Sequence, residues 1–96
     1  MTYPVIYSDR AIETFDAISQ QMELRWGLKH VYIFEERTLK VIETIGESPF
    51  IFQAIEVNPN VRKAFIHKNC SMFYRVGSTN INVLFFWDNR QDPIFF

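Results

Sequence analysis

The strongest constraint in this sequence is a change of period part-way along it. From Ser8 to Gly46 the apolar residues recur at helical spacing, with one break at Gly27. From Val61 to Trp87 they fall instead into short β-rich segments separated by turn residues. In the first half Ala11, Phe15, Ile18, Met22 and Trp26 share one helix face, while Glu13, Asp16, Gln20 and Glu23 take the other. Ser8 and Asp9 offer N-cap oxygens, and Gly27 is the stop. A second helix is expected from about Lys29 to Gly46, with Val31, Phe34, Val41, Ile42 and Ile45 inward and Glu35, Glu36, Arg37 and Lys40 outward. The run Val31-Tyr32-Ile33-Phe34 also suits a strand, but the tight break at Gly27 and the polar middle favour an antiparallel helical hairpin.

Ahead of the helices, Tyr3 to Tyr7 is β-rich with a proline near its start, as a short edge strand would be. The stretch from Pro49 reads as an apolar, partly buried connection closed by the turn signal Asn58-Pro59-Asn60. Three strand candidates follow, Val61–His67, Ser71–Val76 and Asn80–Trp87, which make two consecutive hairpins. The expected fold is therefore α+β: a short N-terminal strand, an antiparallel two-helix hairpin, then a three-stranded antiparallel sheet. A turn over Gly77–Asn80 pairs Val76 with Ile81, Tyr74 with Val83 and Met72 with Phe85 on the core face. Ser71, Phe73, Arg75, Asn82, Leu84, Phe86 and Asp88 would then face the other way. In the first hairpin a one-residue slip places either Arg62 or Lys63 opposite Arg75, and two facing cations call for an anion nearby.

With 96 residues the chain has length for one domain spanning 1–96. At 48% apolar residues, including ten Phe, it has ample means to bury a core. A net charge of -1 excludes the global electrostatic footprint of a sequence-independent nucleic-acid binder, so any such contact must be local. The single cysteine, Cys70, cannot close an intramolecular disulfide, and the first residues have no signal-peptide pattern, which makes the cytoplasm the expected compartment. The apolar runs are far shorter than a membrane span, so no membrane association is expected.

Arg62, Lys63, Arg75 and Arg90 are the candidates for an anion- or target-binding patch, Arg being suited to hold phosphate oxygens bidentately. The alternative is pairing with Asp88, Asp92 and Glu56. His67 is a candidate general base, against the plainer reading of a solvated turn histidine. No metal-ligand spacing links His30, His67 and Cys70, so neither a metal nor another cofactor is expected. Cys70 lacks a base partner and reads as a turn residue. Phe73, Phe85, Phe86 and Trp87 offer stacking surfaces for bases but by default should be core, whereas the terminal Phe95 and Phe96 need a surface to cover.

The order of elements, together with Trp26-Gly27 ending the first helix, Ile45 and Pro49 ending the second, Val61-Arg62 opening the hairpins, Tyr74 and Val76 in the next strand, and Asp88 to Pro93 closing the last, resembles the RelE/ParE toxin superfamily. The resemblance spans nearly the whole chain. It implies the toxin of a type II toxin–antitoxin (plasmid stabilisation) pair, partnered by a cognate antitoxin as a hetero-oligomer or a homodimer. It also implies one of two activities. RelE-like members cut messenger RNA on the ribosome with basic side chains of the sheet, whereas ParE-like members poison DNA gyrase and need no such set. Arg62 and Arg90 match basic positions of the nuclease branch, and with Arg75 they would surround the scissile phosphate. Ser71 and Ala64 stand where that branch has other residues, and Phe95 and Phe96 have no hydroxyl to move a proton. The expectation is thus a ParE-like toxin, with a RelE-like endoribonuclease or an inactive antitoxin-binding domain as alternatives.

Overall fold

The computed structural model describes residues 2–91. Along the chain it runs β1 (Val5–Tyr7), α1 (Asp9–Trp26), α2 (Leu28–Glu47), β2 (Ala54–Ile55), β3 (Asn58–His67), β4 (Cys70–Val76) and β5 (Ile81–Asp88). The Ser8 hydroxyl caps α1 by accepting from the Ala11 amide at 3.0 Å. Between the helices Gly27 has φ 87° and ψ 175°, a conformation essentially restricted to glycine, so α1 ends and α2 starts within one residue.

The three expected strands form the centre of a five-stranded sheet in the order β1-β5-β4-β3-β2. β1 pairs with β5 in parallel, while the other pairs are antiparallel, so the sheet is mixed. The expected apolar connection contains the short β2, and Asn58-Pro59-Asn60 lies inside β3 instead of closing a loop before it. Pro59 is tolerated there because it sits at the strand's start, beside a β2 of only two residues.

Register is where the structure departs from the sequence reading. Val76 pairs with Ile81 and Tyr74 with Val83 as expected, but a bulge at Leu84 then moves Phe85 opposite Phe73 and Phe86 opposite Met72. One extra residue exchanges the faces of everything beyond it. Phe86 therefore points at the helices and Phe85 away, and Asp88, paired with Cys70, turns to the helix side too. In the other hairpin Arg75 faces Val61, Tyr74 faces Arg62 and Phe73 faces Lys63, so neither cation stands opposite Arg75.

Phe86 completes the centre of the core. It meets Phe15 of α1 edge-on at 5.1 Å and Phe34 of α2 at 6.5 Å, and Phe15 and Phe34 stack at 4.9 Å. Around this trio Ala11, Ile45, Met72, Tyr74, Ile81 and Val83 are fully buried. Among the described residues no helix is long and apolar enough to cross a membrane.

Candidate functional site

The register divides the candidate residues between two sides of the sheet. Arg62 lies on the helix side, next to Tyr74. Its Nε donates to the Pro59 carbonyl at 3.0 Å and its Nη1 to the Phe52 carbonyl at 3.0 Å, while the guanidinium lies 4.9 Å from the Phe50 ring centre. Tyr74 completes this tie: its hydroxyl donates to the Pro49 carbonyl at 2.7 Å, and burial pushes its pKa up to about 12 despite the nearby Arg62 charge. Both side chains hold the segment between α2 and β3 against the sheet.

Arg90 is held just as firmly at the far end of β5. Its Nε and Nη2 donate to the two carboxylate oxygens of Asp88 at 3.0 and 2.7 Å, and its backbone amide donates to the same carboxylate at 2.9 Å. The hydrogen bond from Arg90 keeps the Asp88 carboxyl below its ordinary pKa, and the guanidinium lies over Trp26 at 5.5 Å. This is the charged cluster around Asp88 that the sequence offered as the structural alternative; Asp92, Phe95 and Phe96 lie outside the described residues.

The open side of the sheet keeps Lys63 and Arg75 and gains a residue the sequence did not single out. Phe73 and Phe85 stack at 4.8 Å across β4 and β5. The Lys63 ammonium lies 5.9 Å from the Phe73 ring, and the Arg10 guanidinium 4.4 Å from the Phe85 ring. Arg10 comes from the first turn of α1 and passes the edge of β5 beyond the end of β1. Two cations thus flank a stacked aromatic pair, with an exposed Arg75 on the same face. Phe73 and Phe85 are 2% and 5% exposed, so their rings are packing groups and not stacking platforms for bases. No strand position on this face carries a carboxylate, a histidine or a tyrosine.

His67 and Cys70 do not join that face as acid–base groups. The His67 Nδ1 accepts the Asn69 amide at 3.2 Å, which occupies the lone pair a general base would use and leaves Nε2 as a donor. Partial burial and the cations Arg37 and Lys68 lower its pKa. Cys70 is fully buried, and burial pushes its pKa up to about 12, so it is a core thiol and not a turn residue. Among the described residues no three His, Cys, Asp or Glu side chains gather as a metal site.

Neither a protein-family model nor a curated protein matches this sequence. Solved structures do match its fold. A chain of the chromosomal ParDE toxin–antitoxin system from P. aeruginosa superposes with a TM-score of 0.75 at 15% identity, over 91% of this chain and 96% of that one. A mutant of the E. coli toxin RelE, in complex with a peptide of the antitoxin RelBc, superposes with a TM-score of 0.58 at 19% identity, over 88% of this chain and 80% of that one. The chain has the RelE/ParE fold.

On this RelE/ParE fold the carboxylates are unevenly placed, while the ten Lys and Arg residues divide equally between the helical half and the sheet half. Eight of the eleven carboxylates lie in α1 and α2, whereas residues 48–91 carry five cations against Glu56 and Asp88. Between the helices and β1 runs an apolar groove of about 280 Å³, lined by Tyr7, Ile12, Phe15, Leu39, Ile42 and Phe86 with Glu35 at its rim. Ile12 and Leu39 are 53% and 61% exposed there. Helical spacing alone did not reveal the groove, because both residues lie off the stripes that define the core faces. Arg10 was missed for a related reason: nothing in a helix's first turn indicates that it reaches around a sheet edge.

Proposed function

We propose that this chain is the toxin of a type II toxin–antitoxin pair, acting as a binding poison in the ParE manner with DNA gyrase as its target. The observation that carries this reading is the composition of the open sheet face. Among the described residues it presents Arg10, Lys63 and Arg75 but no side chain that moves a proton at neutral pH. Two of the three arginines that a nuclease reading requires, Arg62 and Arg90, have their guanidinium groups engaged by carbonyls or a carboxylate of the chain itself. The superposition on a ParDE chain over nearly all of both chains supports the same choice.

The cognate antitoxin then occupies the groove between the helices, as an amphipathic segment that folds on binding and lays apolar side chains against Ile12, Leu39 and Ile42. Glu35 favours a basic residue at the segment's edge. Replacing Leu39 with Asp abolishes neutralisation by the antitoxin while leaving stability within about 0.5 kcal/mol, as expected for an exposed position.

A RelE-like ribosome-dependent nuclease is the second reading, favoured by the concentration of cations on a face without carboxylates, since a ribosome would supply orientation. Induction of the chain in a bacterial host, with pulse labelling of DNA and protein synthesis, separates the two. Early failure of DNA synthesis is the expected result. Early arrest of translation with cleaved messages would overturn it in favour of the nuclease, and normal growth would leave an antitoxin-binding domain without toxicity.

A further inference from the structure

β3 is longer than the strand that covers its outer side. β2 pairs with it only at Asn58 and Arg62, and one further bond, from the Lys63 amide to the Gln53 carbonyl at 3.0 Å, ends the contact. β2 is the last strand of the sheet, so among the described residues no strand lies beside β3 from Ala64 to His67. The Lys63 amide also fixes what this edge displays. In an antiparallel pair, successive residues turn their N–H and C=O to opposite sides of the strand. Lys63 turns its amide outward and Ala64 turns to β4, so Phe65 directs its N–H and C=O outward, past the end of β2.

The side chains along the edge give it a definite chemistry. Ala64 and Ile66 are buried toward α2, whereas Lys63 and Phe65 share the outer face, and Phe65 is 59% exposed. Lys68 stands exposed just beyond the end of the strand. β3 and β4 carry no carboxylate, and neither lysine forms an ion pair among the described residues. Lysines on an edge strand oppose pairing with a like strand. A second copy docked antiparallel about Phe65 would set its Lys63 opposite His67 and beside Lys68, cation toward cation. A strand bearing carboxylates meets opposite charge at both ends instead.

We propose that the edge of β3 from Lys63 to His67 is a docking site for an extended acidic segment of a protein partner, which adds to the sheet as a further strand. The Phe65 N–H and C=O supply the main-chain hydrogen bonds, and an apolar side chain of the incoming segment covers the Phe65 ring. Its carboxylates lie beside Lys63 and Lys68, which gives the contact its preference for an acidic sequence. The free stretch is about 13 Å long, with room for about four residues. So short a strand binds weakly and serves to reinforce a contact made elsewhere on the same partner. The helices pack on the other face of the sheet, so the inference holds whatever fills the groove between them.

The test uses the full chain and two short blocked peptides, one alternating glutamate with valine and the other lysine with valine. NMR titration should show the glutamate peptide binding in a salt-sensitive way, with the Phe65 amide protected from hydrogen exchange in the complex and not in the free protein. The double variant Lys63→Glu, Lys68→Glu changes only exposed positions. It should weaken the glutamate peptide about tenfold and reverse the preference toward the lysine peptide. Phe65→Pro removes the outward N–H and leaves the donors of the β4 ladder in place, so it should abolish binding. Four results would each overturn the proposal: no binding of the glutamate peptide, equal binding of the two peptides by the native chain, exchange protection confined to residues outside Lys63 to His67, or dimerisation of the free chain that Phe65→Pro prevents, which would give the edge to a second copy.

Discussion

The Thr14 hydroxyl accepts a hydrogen bond from the Phe86 amide at 2.9 Å and donates to the Arg10 carbonyl at 2.7 Å. A helix side chain thus stands where the next strand of the sheet would be. β1 covers β5 only from Ile81 to Val83, and beyond it Ser8 donates to the Leu84 carbonyl at 2.7 Å while Thr14 satisfies Phe86. These two contacts hold the bulge that turns Phe86 into the core. Thr14→Val, which keeps the shape but removes the acceptor, should cost about 1–3 kcal/mol through the unsatisfied amide. Urea unfolding measures the loss, and hydrogen exchange should accelerate first at Phe86.

Arg90 holds Asp88 inside the molecule, so Arg90→Ala should reduce stability at neutral pH by about 1–2 kcal/mol, allowing for the partial exposure of the arginine. The folded Asp88 pKa lies below its ordinary value, so its contribution is fully present above about pH 4 and is lost as pH falls through the folded value. The stability gap between the native protein and the variant should therefore be constant near neutrality and close in acid. A gap that does not change with pH would refute the assignment.

His67 acts in the same sense at higher pH. Its folded pKa is depressed, so its contribution is complete above the unfolded value of about 6.5 and declines as pH falls through the folded value. NMR titration of the free protein should show it ionising below the ordinary histidine value of about 6.5. An ordinary or raised midpoint would mean that partial burial and the surrounding cations do not act as described.

Cys70 should be inert in the folded state. With its thiol fully buried and its pKa near 12, alkylation should track unfolding, complete in denaturant and negligible under native conditions. Rapid native labelling would show that the β4 end of the sheet opens locally.

Gly27→Ala should destabilise by about 1–2 kcal/mol for backbone reasons alone, since a Cβ there meets no atom within 4 Å. The loss should appear in thermal unfolding, with the fold retained. A neutral effect would indicate that the helix junction relaxes to negative φ.

The elements and much of their order follow from the chain alone, because helical and strand periods, a capping serine and a lone glycine are local signals. Ser8, Gly27, the Val76–Ile81 turn pairing and the inward faces of both helices, apart from the exposed Trp26, were legible in that way. It also contained Lys63 and Arg75, but not which face they share, since a period of two fixes alternation along a strand and not its phase after a bulge. The extra residue at Leu84 exchanged Phe85 and Phe86, and the β3–β4 register turned Arg62 inward to the carbonyls of Phe52 and Pro59. Arg10 joined the open face only because β1 ends early and leaves the β5 edge for α1 to cover. These were decisions of tertiary structure: they depend on where one element stops beside another, a distance in space that no spacing along the chain records.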